Sequence, residues 1–124
     1  MENLKREDFE KLKELKFFRG NIVSDSMVPK IRIGDKIVVD VGNFNLERFD
    51  IIVFWHQGQL TCHYLWAMNR RVEPLLLQTR SIKFGEKDYP IGFQDYLGKV
   101  VSHRLSTWDK IKIFISLKVK GKST

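Results

Sequence analysis

Two serines, Ser24 and Ser26, flank Asp25 and run directly into Met27-Val28-Pro29. A free serine hydroxyl is a weak nucleophile. It attacks a carbonyl only when a base lies within hydrogen-bond reach and donors await the oxyanion that forms. Proline restricts the residue before it, so a turn ahead of Pro29 can hold Ser26 and its backbone N–H in a fixed pose. In extended backbone the Ser24 side chain points to the same side as that of Ser26, where its hydroxyl can donate to an oxyanion. Without further support these are two serines in a turn, and Ser24 can equally cap local backbone. The chain offers three histidines as bases, His56, His63 and His103. His63 belongs to the alternating stretch Leu60-Thr61-Cys62-His63-Tyr64, whereas His56 and His103 read as surface or strand-end residues. Cys62 precedes His63, but neighbours in a strand face opposite sides. One cysteine and scattered histidines lack zinc-ligand spacing, so no metal and no other cofactor is expected.

Several elements must position these groups. Residues 3 to 16 read as a charged helix with Leu4, Phe9, Leu12 and Leu15 as a narrow apolar stripe, ended by Gly20-Asn21. Ile37 to Val41, between Gly34-Asp35 and Gly42-Asn43, is rich in β-branched residues and reads as a strand. Ile51 to Trp55 is a second strand, apolar enough to be buried on both faces. His56-Gln57-Gly58-Gln59 then makes a tight connection to a third strand, Leu60 to Met68. Leu75 to Thr79 is a fourth, Gly85 to Pro90 a loop, and Lys99 to Ser102 a last short strand after Gly98. From Ser106 the signals conflict. Ser106-Thr107-Trp108-Asp109 has capping-box spacing, with Asp for the better Glu, and would put Trp108, Ile111, Phe114 and Ile115 on one helical face. Ile111, Ile113 and Ile115 also alternate as in a strand. Lys110, Lys112, Lys118, Lys120 and Lys122 surround this apolar set, a combination able to lie on an anionic membrane surface. Packing back onto the domain is the plainer expectation, because a small domain needs such residues for its core.

The totals set the class. A chain of 124 residues suits one domain with one modest core. With 43% hydrophobic and 30% charged residues, it has the composition of a folded globular protein. The longest apolar run, Ile51 to Trp55, is far shorter than a bilayer span. The first residues lack the apolar core of a signal peptide. A single cysteine excludes an internal disulfide framework. A cytoplasmic protein is expected. The net charge of +7 suits nucleic acid, anionic lipid or acidic peptides without choosing among them.

The run Ser24-Asp25-Ser26-Met27-Val28-Pro29, followed by Ile31 and Gly34-Asp35, resembles the nucleophile box of the signal peptidase I and LexA-type serine peptidase superfamily. Three further matches follow in order. Phe49-Asp50-Ile51-Ile52-Val53-Phe54 is similar to the family's Gly-Asp-Ile-Val-x-Phe strand, with Phe49 where glycine is usual. Leu60 to Tyr64 is similar to the strand carrying the general base. Leu97-Gly98-Lys99-Val100-Val101 is similar to the late Gly-Lys-Val strand. Together these cover roughly residues 20 to 102. The resemblance implies Ser26 as nucleophile and Ser24, with the Ser26 N–H, as the oxyanion hole. At the base position some relatives use lysine and others histidine, and His63 places this chain with the Ser-His type. A histidine base benefits from an acid that fixes its tautomer. In that type the acid follows a Lys-Gly-Asp segment. The matching Thr79-Arg80-Ser81-Ile82 lacks the Asp, and the role passes to Asp88 at a second acidic position.

The resemblance therefore implies a mostly-β domain of coiled antiparallel strands over residues 1–124. It would comprise an N-terminal helix to residue 19, a catalytic core over 20–104 and a basic amphipathic tail over 105–124. The expected activity is that of a serine endopeptidase cutting a peptide or leader bound as an extended strand. No membrane anchor or DNA-binding domain of the kind those relatives carry is expected. Two other readings stay open: a peptide-binding module that has lost turnover, suggested by the missing Lys-Gly-Asp acid and by Phe49, and a basic nucleic-acid binder. The latter is disfavoured because the aromatics sit within apolar strands and not between basic residues.

Overall fold

Strand-forming runs dominate the middle of the chain, and in the computed structural model they assemble into one antiparallel sheet. The structure describes residues 4–22, 26–27, 30–69, 76–83, 88 and 90–122, and the backbone alone at 69 and 117–122. A short helix, α1 (Arg6–Leu12), precedes strands β1 (Phe17–Asn21), β2 (Lys36–Val41), β3 (Ile51–His56), β4 (Gln59–Asn69), β5 (Leu76–Arg80) and β6 (Ile91–Gly92). A 3-10 turn at Phe93–Asp95, strand β7 (Tyr96–Val100) and helix α2 (Thr107–Lys122) complete it. The sheet order is β1-β2-β7-β3-β4-β5-β6, with each strand antiparallel to its neighbours. The expected mostly-β architecture is thus present.

Apolar side chains cover both faces. Ile37, Val39, Ile51, Val53, Tyr64 and Leu97 belong to the larger cluster, which α1 and α2 join through Phe9 and Ile113. Ile52, Phe54, Leu65, Leu77, Ile91 and Tyr96 form the second cluster. This two-sided burial is why Ile51 to Phe54 are apolar without alternation. The β3–β4 turn puts Gln57 and Gly58 at φ 49° and 76°, the geometry of a two-residue hairpin whose twist suits the flanking strands. Gly98, where β7 meets both β2 and β3, is required by space. A Cβ there would stand 2.4 Å from the Asp40 carbonyl oxygen.

The N-terminal expectation needs correction. The helix stops at Leu12, and residues 17–21 are a strand paired with β2 from Phe17↔Asp40 to Asn21↔Lys36. Pairing with an open sheet edge outweighs the helical charge pattern, and Phe17-Phe18 suit a strand. Of the expected stripe only Phe9 is fully buried, and Leu15 is exposed. The last strand also begins earlier than expected, at Tyr96, and ends at Val100.

The C-terminal ambiguity resolves to a helix. Ser106 Oγ accepts the Asp109 N–H at 3.1 Å, and the Asp109 carboxylate accepts the Ser106 N–H at 2.8 Å, a reciprocal cap. Asp109 also meets Lys30 Nζ at 3.2 Å, turning its side of the helix toward the domain. Ile113, one turn on, is therefore the residue that enters the core, and Phe114 packs edge-on against Phe49 and Trp66, while Trp108, Ile111 and Ile115 remain exposed. The helix thus packs back onto the domain as expected through Phe114, but the expectation is corrected for Trp108, Ile111 and Ile115, which face outward. Among the described residues no helix is long and apolar enough to cross a membrane.

Candidate active site

The loop between β1 and β2 carries the serine. Its base is closed where the Gly34 N–H donates to the Ile22 carbonyl (2.8 Å) and the Ile22 N–H donates to the Asp35 carbonyl (2.9 Å). Inside it, the Ile31 N–H donates to the Met27 carbonyl at 2.9 Å, and the Asp35 carboxylate accepts the Arg32 N–H at 2.9 Å. Met27 and Ile31 are both inserted into the larger cluster. Each such burial contributes roughly 1.5–3 kcal/mol toward ordering the loop. Ser26, next to the Met27 anchor, is buried. Its carbonyl accepts the Lys83 N–H at 2.8 Å, which ties the serine segment to the chain leaving β5. Ser24 lies outside the described residues.

His63 and Asp88 come together from different elements. His63 is in β4, paired with Ile52 of β3. Its ring packs edge-on to Phe54 at 5.9 Å between centroids. Its Nδ1 lies 2.6 Å from Asp88 Oδ2. An ionised carboxylate can only accept, so Nδ1 is the nitrogen that donates to Asp88. The His63 side chain is 13% exposed, enclosed yet reachable.

Thr79 completes this group, and sequence reasoning missed it. Thr79 Oγ1 donates to the same Asp88 Oδ2 at 2.6 Å. The Asp88 N–H donates to the Thr79 carbonyl at 2.9 Å, and the Gln78 side-chain amide donates to the Asp88 carbonyl. The acid is thus fastened to β5 at both backbone and side chain. Burial works against ionising Asp88, but the hydrogen bonds from His63 and Thr79 outweigh it and hold the carboxyl below its ordinary value. A bulge in the β4–β5 ladder between Leu65 and Ala67 sets the register so that Leu65 faces Thr79 and Tyr64 faces Arg80. His63, two residues from Leu65 on the same face, then looks toward Thr79. The only sequence signal for Thr79 was its place in the segment that lacks the usual aspartate.

Among the described residues the buried polar side chains are Ser26, Thr79 and Ser81. All three lie in the serine loop or in β5 and its exit, the segments joined by the Lys83–Ser26 bond. Burying hydroxyls costs free energy unless they are bonded, and Thr79 meets that cost through its bond to Asp88.

The rival groups do not share in the His63–Asp88–Thr79 hydrogen bonds. Cys62 faces the larger core cluster, opposite His63, and burial pushes its thiol up to about 12, leaving it protonated. His56 is exposed at the end of β3. His103 Nδ1 lies 2.8 Å from Ser102 Oγ, which also accepts the Val38 N–H. Among the described residues no three His, Cys, Asp or Glu side chains gather as a metal-binding group. No protein-family model and no curated protein matches the chain.

Proposed function

We propose that the chain is a serine endopeptidase of the Ser-His-Asp kind, with a fold of the signal peptidase and LexA catalytic type. The observation that carries this reading is the 2.6 Å His63–Asp88 pair, locked by Thr79 beside the segment that hydrogen-bonds the Ser26 backbone. In this reading the acid missing from residues 79–82, whose absence suggested a module without turnover, is Asp88, and its bond to His63 supports the assignment. In the proposed reaction Ser26 Oγ attacks the scissile carbonyl carbon while His63 Nε2 takes its proton. Asp88 stabilises the imidazolium without taking the proton itself. The Ser26 N–H and the Ser24 hydroxyl steady the oxyanion. Nε2 then protonates the leaving amine, and water, activated by the same nitrogen, releases the acyl group. The substrate is a peptide or leader segment bound as an added strand, which uses main-chain hydrogen bonds for affinity.

The test is covalent labelling. A fluorophosphonate should modify the intact protein at Ser26 as mapped by peptide mass, and neither Ser26→Ala nor His63→Ala should be modified there. Labelling of the Ser26→Ala protein to the same extent, or no labelling of the parent under conditions where it is folded, would remove the enzymatic reading.

A further inference from the structure

Helix α2 presents its largest apolar side chains outward. Trp108, Ile111 and Ile115 are 61%, 42% and 58% exposed, whereas Ile113 enters the core and Phe114, at the border of this face, packs edge-on against Phe49 and Trp66. The helix rotation is fixed by Asp109, through its reciprocal cap with Ser106 and its pair with Lys30, so this outward face is built in. An apolar helix face of this kind marks an interaction surface more often than a surface at rest.

Charge says what the surface is for. Asp109 is the one acid of α2, and it is already engaged with Ser106 and Lys30. Lys110, Lys112, Lys118, Lys120 and Lys122 lie along the same helix. Lys112 Nζ stands 5.5 Å over the Trp108 ring, a cation at the edge of the apolar stripe. A second feature lies at the base of the helix. An open cavity of about 250 Å³ is lined by Arg48, Lys99, Arg104 and Lys110 against the acids Glu47 and Asp50. Asp50 is bound to Lys99 at 3.2 Å, which leaves the cavity with surplus positive charge. Lys110 belongs to both features: it lines the cavity and sits one residue before Ile111 and one turn before Phe114.

We infer that α2 and the cavity at its base form a docking surface for an anionic lipid bilayer. The exposed isoleucines and Trp108 enter the boundary between headgroups and acyl chains, Lys112 meets the anionic headgroups, and the cavity lined by Lys110 takes a lipid phosphate. A stripe of large apolar residues bordered by lysines is the pattern of a helix lying in the membrane interface, and each basic residue near an anionic surface adds attraction that salt screens. A soluble protein partner would need acids complementary to the lysines and an apolar groove at once, whereas an anionic bilayer offers both. This inference does not depend on the chemistry at Ser26.

The experiment is sedimentation of the full chain with vesicles of phosphatidylcholine alone or mixed with phosphatidylglycerol. Binding at least tenfold stronger to the mixed vesicles is expected, falling steeply as salt rises. The double variant Trp108→Ser/Ile115→Ser should weaken it at least tenfold with an unchanged circular dichroism spectrum, because both side chains are exposed. Lys110→Gln/Lys112→Gln should weaken binding to the mixed vesicles only. Equal or absent binding to the two vesicle types would overturn the proposal. So would binding of soluble glycerol phosphate without binding of vesicles, or a lipid-free dimer that the Trp108→Ser/Ile115→Ser change dissolves.

Discussion

The Thr79 hydroxyl and the His63 ring share one oxygen of Asp88, each at 2.6 Å. That oxygen is therefore fixed from two sides, one of them a fully buried side chain. Thr79 acts through Asp88 as a positioning residue. Thr79→Val keeps the shape and removes the donor, so Asp88 loses a charge-assisted bond of about 1.5–3 kcal/mol. The expected result is a roughly tenfold or greater fall in kcat, or in the rate of Ser26 labelling, with little change in KM. Thr79→Ser should restore most of it. A purely structural role would instead lower stability in both variants without separating their pH profiles.

Asp88 itself makes a prediction about acid. Its carboxyl is held below the ordinary value near 3.8 in the folded chain. A depressed carboxylate contributes stability that is fully present above the unfolded-state value and is lost as pH falls through the folded one. The parent protein should therefore lose stability progressively as pH drops below about 4, and Asp88→Asn should show a shallower fall over that window. Urea unfolding between pH 6 and 3 measures both slopes. At neutral pH the same variant should lose about 10²–10⁴-fold in labelling rate, since an amide cannot hold the imidazolium as a carboxylate does. Identical acid slopes in the two proteins would mean that the pair contributes nothing to folding.

Much of this arrangement was legible in the residues, and the exceptions share a cause. The β-branched runs at 37–41 and 51–55 gave their strands directly, because propensity and burial agree there. His63 facing away from Cys62 followed from alternation alone. Strand β1 was hidden because Lys13 to Lys16 continue a helical charge pattern, and only a partner strand distant in sequence makes Phe17-Phe18 a strand. The rotation of α2 is hidden in the sequence for a similar reason. The Asp109–Lys30 pair, made to a residue distant in sequence, is what turns Ile113 inward. Thr79 was missed because its role exists only once the loop bearing Asp88 folds back on β5.

Gly98 is where β7 passes closest to β2. A Cβ at this position would meet the Asp40 carbonyl oxygen at 2.4 Å and Val39 Cγ1 at 2.8 Å. Backbone on one side and a core valine on the other leave no flexible group to yield. Gly98→Ala should cost about 1–3 kcal/mol or more, as overpacking does, read as a fall in the urea midpoint at unchanged slope. Because Gly98 also pairs with Val53 of β3, the strand beside β4, the shift should reach His63 and slow labelling at Ser26. A variant as stable as the parent would show that β7 can move away from β2 freely.

Phe49 holds the left-handed backbone region at φ 77°, where the family strand it resembles carries glycine. Such a conformation costs a residue with a Cβ roughly 1–2 kcal/mol. Its ring offsets this cost by packing on Tyr64, Trp66 and Phe114, with centroids 6.0, 6.0 and 5.5 Å away. Through Phe114 the strained residue clasps α2 to the sheet. Phe49→Ala removes the ring contacts and keeps the strain, whereas Phe49→Gly removes both. Both variants should be less stable than the parent, since aromatic pairs are worth about 0.5–1.5 kcal/mol each beyond burial. Glycine should nevertheless be the more stable replacement, by about 1 kcal/mol, the reverse of the usual order in regular structure. Amide exchange in α2 should quicken in both, because the clasp is lost in both. If alanine proves equal or better, the φ angle carries no strain and Phe49 is held by its ring alone.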